Sequence, residues 1–280
     1  MFITNKNVLD NRNMEEEKYK NPVIPNGFRY LRGEWNNGFT IINTRDGSQF
    51  VWIPVGRLEA DGTTNGLNFN RKFGRRKFEN HCRNGEYTFD TFYDSISQEV
   101  EEKVKNTGGF YISAYLASVE DGSFDFKENR DAVTYSYEKC ERFAQEYALK
   151  HGMKDVTSEL PSGAAYDCLC KYFMLSIQSK DIIVDSKRWY SHKNGHTGNR
   201  LSFYGIYDLG LKGEATSEMN GNYYVVRGEG KAISHRTLQR IRGNARRDRK
   251  AFRIVLYVRQ SNPFEKEEKL LRKIMTFEKK

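Results

Sequence analysis

Four cysteines are the first residues of this chain that could do chemistry, as thiolate nucleophiles or as soft-metal ligands. They are Cys82, Cys140, Cys168 and Cys170. No two of them form a CxxC pair and their density is far below that of a disulfide framework, so the pattern predicts reduced thiols in a cytoplasmic setting. A zinc site on Cys168 and Cys170 is the alternative, but zinc-binding cysteines are usually separated by two or more residues, and on a helix these two sulfurs diverge.

Histidine and glutamate supply the next candidates for chemistry. His192 and His196 are four residues apart, but the surrounding sequence SHKNGHTG is typical of a loop and contains no third ligand. We therefore interpret both as surface histidines. Glu214 with a nearby tyrosine or histidine could form an acid–base pair, so an enzyme with its own chemistry in a cleft is one hypothesis.

Basic residues form two groups. The first runs from Arg71 to Lys77, and the second runs from His235 to Arg253 and contains seven arginines. Guanidinium groups suit phosphate and carboxylate, so the second group predicts either a partner-binding face or arginines that pair with internal acids. The net charge of +9 permits nucleic acid as a partner without selecting it.

The residue pattern predicts several strands, which would position the candidate residues named above. The 280 residues are only 38% hydrophobic, but 14% are aromatic, and aromatic rings can build a core with few aliphatic residues. The pattern over Phe39–Val55 predicts a hairpin that turns at Asp46-Gly47. Further strands are predicted at Phe110–Ala117, Tyr223–Arg227 and Ala251–Val258.

The sequence also predicts two main helices. Ser136 is expected to cap a helix that ends at Gly152 and buries Cys140 in its apolar stripe, and Ser162 is expected to cap a second helix. A shorter helix is predicted from the spacing of Phe92, Ile96, Val100 and Val104. Residues 180–222 have the composition of long ordered loops. The sum predicts an α+β domain with a small twisted antiparallel sheet, two main helices and long ordered loops.

The predicted domain organisation has three parts. Residues 1–38 are a polar N-terminal lead-in, residues 39–258 form one domain with a basic insertion loop at 56–84, and residues 259–280 form a C-terminal amphipathic helix. The N-terminal 20 residues contain no apolar run, so we expect no signal peptide. No apolar stretch approaches the roughly 20 residues that cross a bilayer, so we also expect no membrane span.

Eight segments, taken in chain order over residues 39–258, resemble motifs of the formylglycine-generating enzymes, the sulfatase-modifying-factor family. The segments, with the family motif that each resembles, are Phe50–Gly56 (the opening strand), Gly109–Tyr115 (FxIxxYE), Val133–Tyr137 (VSW or VSY), Leu160–Tyr166 (LPTEAEW), Gly205–Leu209 (GLYDM), Glu214–Glu218 (EWTxE), Val226–Gly228 (LRGGS) and Ala251–Arg253 (GFR). The resemblance implies the formylglycine-generating-enzyme variant of the C-type lectin fold.

The family motifs also indicate which metal-binding residues this chain lacks. The family oxidises cysteine with copper held by two thiolates in a CxxxRCxxR stretch, where this chain has Leu238 and Gly243. No cysteine follows Cys170, so this oxidase activity is not expected. The family's calcium loop is altered at Gly210–Gly213, and Glu214 alone does not make a calcium site. We therefore expect no cofactor, with calcium as the alternative.

These observations favour a pseudoenzyme: a non-catalytic module that binds a protein or glycan ligand. Lectin-like relatives include display proteins and phage receptor binders, and the composition rich in Asn, Lys and Tyr is typical of bacteria and phages. The location would then be cytoplasmic or virion-associated. The candidate ligand-binding residues are Trp189, Tyr190, Glu214, Tyr223, Arg227, Arg236, Arg240, Arg242 and Arg246. The alternatives are an enzyme with different chemistry and a nucleic-acid-binding protein that uses its basic loops.

Overall fold

The structure is a computed structural model of the chain. It describes residues 22–34, 37–55, 57–58, 64–65, 100, 102–104, 107–166, 168–169, 205–209, 212–220, 223–227, 240–244 and 249–259. The predicted C-terminal helix, His192, His196 and most of the 56–84 insertion lie outside these residues.

Thirteen strands and one long helix have defined bounds among the described residues. The strands are β1 (Phe28–Glu34), β2 (Asn37–Asn43), β3 (Gln49–Pro54), β4 (Arg57–Leu58), β5 (Thr64–Asn65), β6 (Gly109–Ser113), β7 (Ser118–Glu120), β8 (Ser123–Asp125), β9 (Val156–Glu159), β10 (Glu214–Asn220), β11 (Tyr223–Arg227), β12 (Arg240–Asn244) and β13 (Val255–Val258). The helix, α1, spans Tyr137–Lys150.

The main sheet contains six strands in the order β1-β2-β3-β6-β13-β9. Every neighbouring pair in it is antiparallel. A second antiparallel sheet has the order β10-β11-β12, and β4 with β5 and β7 with β8 form two-stranded ladders. The predicted α+β class with antiparallel strands is confirmed.

The central strands of the main sheet, β3, β6 and β13, are buried on both faces. Side chains alternate along a strand, so in β3 Phe50 and Trp52 enter one core cluster while Val51 and Ile53 enter another. The first cluster contains the apolar stripe of α1, and the second contains buried residues of two further helical segments, Val100 and Val104 in one and Ala164, Ala165, Cys168 and Leu169 in the other. The sheet is therefore a central layer with helices on both sides, which explains why β3 is apolar at successive positions.

The predicted hairpin of β2 and β3 is confirmed. Ile41 pairs with Phe50 across it, and Gly47 takes a positive φ of 75° in the turn. The Asp46 side chain fixes this turn because Oδ1 accepts a hydrogen bond of 2.8 Å from the Ser48 N–H. The β2–β3 turn, residues 44–48, is thus held by its own side chains as well as by the ladder.

Helix α1 begins and ends where predicted, but its N-cap lacks the predicted side-chain hydrogen bond. Ser136 occupies the N-cap position, yet its hydroxyl makes no capping hydrogen bond, so the expected side-chain cap is wrong. At the other end Gly152 has a φ of +65°, and the Met153 N–H donates to the Ala148 carbonyl at 3.0 Å. Cys140 is fully buried within the helix stripe, as predicted.

The second helix has the predicted cap. The Ser162 hydroxyl accepts a hydrogen bond of 3.1 Å from the Ala165 N–H. A Cβ at position 163 would lie 1.8 Å from Oε2 of Glu218, so any other residue here would force this buried carboxylate to move. The predicted buried positions Ala165 and Leu169 are buried, and the other positions predicted for this helix, at 170–177, lie outside the described residues.

Several predicted boundaries need correction. Strand β1 lies within residues 1–38, so the sheet begins inside the segment predicted to be a lead-in. Its alternating exposure at the sheet edge makes its sequence look polar. Strand β10 lies within residues 180–222, which were predicted to be loops, because its charged residues are buried in contacts rather than exposed. Strand β6 ends at Ser113, and β13 begins only at Val255.

None of the described helices is both long enough and apolar enough to cross a membrane.

Candidate functional site

A buried ion pair joins the second sheet to the main sheet. Nε of Arg253 donates to Oε2 of Glu214 at 3.0 Å, and the two side chains are 0% and 1% exposed. Glu214 begins β10, and Arg253 lies two residues before β13. Burial of two charges is tolerated only where each finds close partners, so this pair must be held by further hydrogen bonds.

The backbone supplies those partners to the guanidinium. Nη1 of Arg253 donates to the carbonyl oxygens of Ser113 at 3.1 Å and Ala114 at 2.9 Å, and Nη2 donates to the carbonyl of Tyr207. We call Arg253, Glu214 and these three carbonyls the Arg253 tie. The carbonyls of Ser113 and Ala114 lie where β6 ends, and the Ala114 carbonyl also accepts a hydrogen bond of 2.9 Å from the Tyr207 N–H.

A second buried arginine lies beside the tie. Arg227 is directly opposite Glu214 in the β10–β11 ladder and opposite Arg240 in the β11–β12 ladder. Its guanidinium lies 4.8 Å from the ring centroid of Tyr166, and both side chains are fully buried. The structure thus brings two arginines and a glutamate together inside the protein rather than at an open surface.

The predicted ligand-binding residues are therefore distributed unequally. Glu214 and Arg227 are buried, whereas Tyr223, at the start of β11, is 43% exposed. Arg240 and Arg242 are on β12, opposite Arg227 and Val225. Trp189, Tyr190, Arg236 and Arg246 lie outside the described residues.

Arg249 shows how a more exposed arginine of the basic stretch is used. Its Nε and Nη2 donate to the Thr134 carbonyl at 3.2 and 3.0 Å. Among the seven arginines of the stretch, Arg249 and Arg253 are the two with described side chains, and both bind backbone carbonyls. For these two, the interpretation as internal staples accounts for the contacts seen.

A polar cleft with a volume of about 460 Å³ opens elsewhere, between the β2–β3 turn, the C-terminal part of α1 and the β7–β8 hairpin. Its lining residues are Arg45, Asp46, Glu120, Asp121, Gly122, Ser123, Phe124, Asp125, Lys127, Phe143, Tyr147, Lys150 and His151. We call this the polar cleft. It combines charged walls with the aromatic rings of Phe124 and Phe143, whose centroids are 3.8 Å apart.

Asp46 is the most connected group in the polar cleft. Its Oδ2 accepts hydrogen bonds from the Ser48 hydroxyl at 2.9 Å and the Tyr147 hydroxyl at 3.1 Å, and it lies 3.1 Å from Nε2 of His151. Tyr147 in turn accepts a hydrogen bond of 2.9 Å from Nδ2 of Asn43. The carboxylate is thus surrounded by donors from the turn and from α1.

His151 has an oxygen acceptor at each ring nitrogen. Nε2 faces Asp46, and Nδ1 lies 2.8 Å from the Tyr147 carbonyl oxygen. A carbonyl can only accept, so Nδ1 must carry a proton, and a second proton on Nε2 satisfies the carboxylate. The geometry therefore favours the imidazolium form.

The pKa values of these groups move in the directions that the contacts require. Burial lowers the pKa of His151, but hydrogen bonds to Asp46 and to the Tyr147 carbonyl outweigh it, and the net pKa is raised. Burial raises the pKa of Asp46, but hydrogen bonds from His151 and Ser48 outweigh it, and the net pKa is lowered. Burial and the Asp46 charge raise the pKa of Tyr147 well above its usual value.

The opposite wall of the polar cleft is also paired. Lys127 donates to Glu120 at 3.0 Å and lies 3.1 Å from Oδ2 of Asp125, whose other oxygen accepts from Ser118. Arg130 makes a further ion pair with Glu120. These carboxylates are therefore engaged by the protein itself.

Metal-ligating and thiol side chains were also located in the part of the chain that is described. Within those residues, no group of three or more His, Cys, Asp or Glu side chains could hold a metal ion. Cys140 and Cys168 are buried, and burial raises the pKa of Cys140 to about 12, which keeps it a thiol.

Sequence reasoning missed the polar cleft. It identified the Asp46-Gly47 turn and the stripe that contains Tyr147, but it did not connect them with His151. A histidine directly after a helix that ends in Lys150 was the available signal, since cations are favoured at helix C-termini.

Comparisons with protein-family models, with curated proteins and with solved structures gave no match to this chain. Its function is therefore argued from its own residues.

Proposed function

We propose that this protein is a non-catalytic binding module on a scaffold like that of the formylglycine-generating enzymes, and that its loops hold a protein or glycan ligand. The single observation that carries the proposal is the burial of the Glu214–Arg253 pair. The residue that sequence reasoning offered as an acid–base catalyst is enclosed and bonded to an arginine.

Enclosure makes Glu214 a poor catalyst for an external substrate. A general acid or base must come within hydrogen-bond reach of the proton it moves. Glu214 is 1% exposed and its Oε2 is occupied by Arg253. The hydrogen bond from Arg253 holds this enclosed carboxylate in place, so Glu214 contributes to the framework rather than to proton transfer.

The charged groups of the polar cleft support the same proposal. Oδ2 of Asp46 is surrounded by three donors, and both ring nitrogens of His151 are directed at protein oxygens. A histidine in this state has no free nitrogen with which to take a proton from a ligand. The cleft is a concave surface with charged and aromatic side chains, and ligand-binding sites share these features.

The scaffold part of the proposal rests on where the family-like segments lie. Four of the eight meet at the Arg253 tie: Gly109–Tyr115, Gly205–Leu209, Glu214–Glu218 and Ala251–Arg253. These four segments, each of which resembles a family motif, are therefore held together by the Arg253 tie. The positions that would supply oxidase chemistry, Leu238 and Gly243, carry no thiol.

The absence of oxidase activity can be tested with the purified chain. It is loaded with copper(I) and incubated with a sulfatase-type cysteine peptide under oxygen, and the peptide is followed by mass spectrometry. We expect no aldehyde product, and clear turnover would overturn the proposal. A formylglycine-generating enzyme with both cysteines serves as the positive control.

Binding is tested by a loop variant. The double variant Trp189→Ala, Tyr190→Ala removes two candidate contact rings, and Ile24→Ala, which truncates an exposed apolar side chain, is the control. The wild type is screened on glycan arrays and against surface proteins of its source, and any ligand found is titrated by calorimetry. We expect the double variant to bind at least about tenfold more weakly and to melt as wild type. Nucleic acid as the only ligand, with affinity that falls steeply with salt, would favour the alternative function.

A further inference from the structure

The contact between His151 and the β2–β3 turn depends on the protonation of one ring. His151 directly follows α1, and its Nε2 lies 3.1 Å from Oδ2 of Asp46 in the turn. Its Nδ1 is held by the Tyr147 carbonyl at 2.8 Å. A neutral imidazole has one N–H, so it can serve one of these oxygens and must present a lone pair to the other.

The other charges near the ring come from three elements. The β2–β3 turn contributes Asp46 and Arg45, α1 contributes Tyr147 and Lys150, and the β7–β8 hairpin with the residues after it contributes Glu120, Asp121, Asp125 and Lys127 to the same cleft. Arg45 opposes the imidazolium, whereas Asp46 favours it at hydrogen-bond distance. The C-terminal end of α1 adds a further favourable interaction with a cation.

We propose that His151 is a pH-sensitive clamp: the protonated ring fastens the C-terminal end of α1 to the β2–β3 turn, and its deprotonation releases that wall of the polar cleft. This inference does not depend on the identity of any ligand. It assigns to the cleft a switch that works near neutral pH, where histidine titrates.

The direction of the pH dependence follows from the raised pKa of the folded form. The stabilisation is fully present below the unfolded histidine pKa, about 6.5, and is lost as the pH rises through the higher folded pKa. The clamp is therefore closed in mildly acidic solution and open in alkaline solution.

The test measures local opening by amide hydrogen exchange with mass spectrometry, corrected for the intrinsic effect of pH. The peptides that cover residues 43–48 and 145–153 are compared at pH 5.5 and pH 9. In the wild type we expect their corrected opening to rise at least about threefold, because the stabilisation by the charged ring is lost as the pH rises. His151→Gln, which cannot titrate, should lose this change, and His151→Lys, which stays charged at pH 9, should remain closed.

His235→Gln is the matched control, and its pH response should equal that of the wild type. The His151 ring is also titrated by NMR in the wild type, which avoids any variant that fails to fold. A His151 pKa at or below 6.5 would overturn the proposal. An unchanged pH response in His151→Gln would overturn it as well.

Discussion

Two ion pairs in this protein do different things because one is enclosed and the other is not. Glu214 and Arg253 are almost completely buried, and the backbone carbonyls of three residues complete the arginine's hydrogen bonds. Asp46 and His151 are 18% and 17% exposed at the edge of a cleft. Both pairs join elements distant in sequence, but only the second includes a group that titrates near neutral pH.

The difference shows how burial separates a fixed joint from an adjustable one. The Arg253 guanidinium is enclosed and is held by three backbone carbonyls as well as by Glu214, so the Arg253 tie is a fixed joint. Histidine changes charge close to neutrality, and partial exposure lets the neutral ring exist at moderate cost. The protein thus combines a fixed junction between its two sheets, the Arg253 tie, with the proposed pH-sensitive clamp at one wall of the polar cleft.

Breaking the buried pair should have the largest effect. Arg253→Met leaves the Glu214 carboxylate buried without its cation, and we expect the free energy of unfolding to fall by about 3–5 kcal/mol. Urea denaturation monitored by circular dichroism measures it. The double variant Glu214→Gln, Arg253→Met should lose less than the sum of the two single changes. A loss below about 1 kcal/mol for Arg253→Met would show that the tie is not the fixed joint described.

Crowding the buried carboxylate of Glu218 should have the next largest effect. Gly163→Ala places a methyl group 1.8 Å from Oε2 of Glu218, and we expect a destabilisation of about 1–3 kcal/mol. Helix propensity alone would favour alanine here, so the two physical terms predict opposite signs. Thermal melting of the variant distinguishes them. An unchanged or higher melting temperature would mean that Glu218 does not lie against Gly163.

Removing the acid of the exposed pair should have a smaller effect that depends on pH. Asp46→Asn removes a carboxylate whose pKa is lowered by its donors, and we expect a loss of about 1–2 kcal/mol at pH 6. Because the lowered pKa gives stability that is present above 3.8 and lost as the pH falls, this difference should shrink in acid. Asp121→Asn, on the rim of the same cleft, is the matched control and should behave as wild type. A difference that persists undiminished at pH 2 would contradict the assignment.

The surface pair of α1 should have the smallest effect. Lys150 lies 2.8 Å from Glu146 one turn earlier, but its side chain is 60% exposed and solvent screens the interaction. We expect Lys150→Ala to leave the denaturation midpoint unchanged within error. A clear loss would place Lys150 among the residues that hold the polar cleft.

The sequence by itself determined the local elements of this protein. The hairpin around Asp46-Gly47, the end of α1 at Gly152 and the Ser162 cap depend on residues close in the chain, and all three were predictable from turn and cap chemistry. The core position of Cys140 followed from helical periodicity in the same way. The absence of thiols at Leu238 and Gly243 is also a property of sequence alone.

Tertiary structure decided everything that depends on distant partners. Along the chain, Glu214 and Arg253 are separated by 39 positions and Asp46 and His151 by 105 positions. Neither pair can therefore be recognised from a local sequence pattern. Strand β10 was missed for the same reason: its glutamates look solvated in sequence and are buried in the fold. Whether a charge faces water or an arginine is set by the packing of sheets, and only the folded chain specifies that packing.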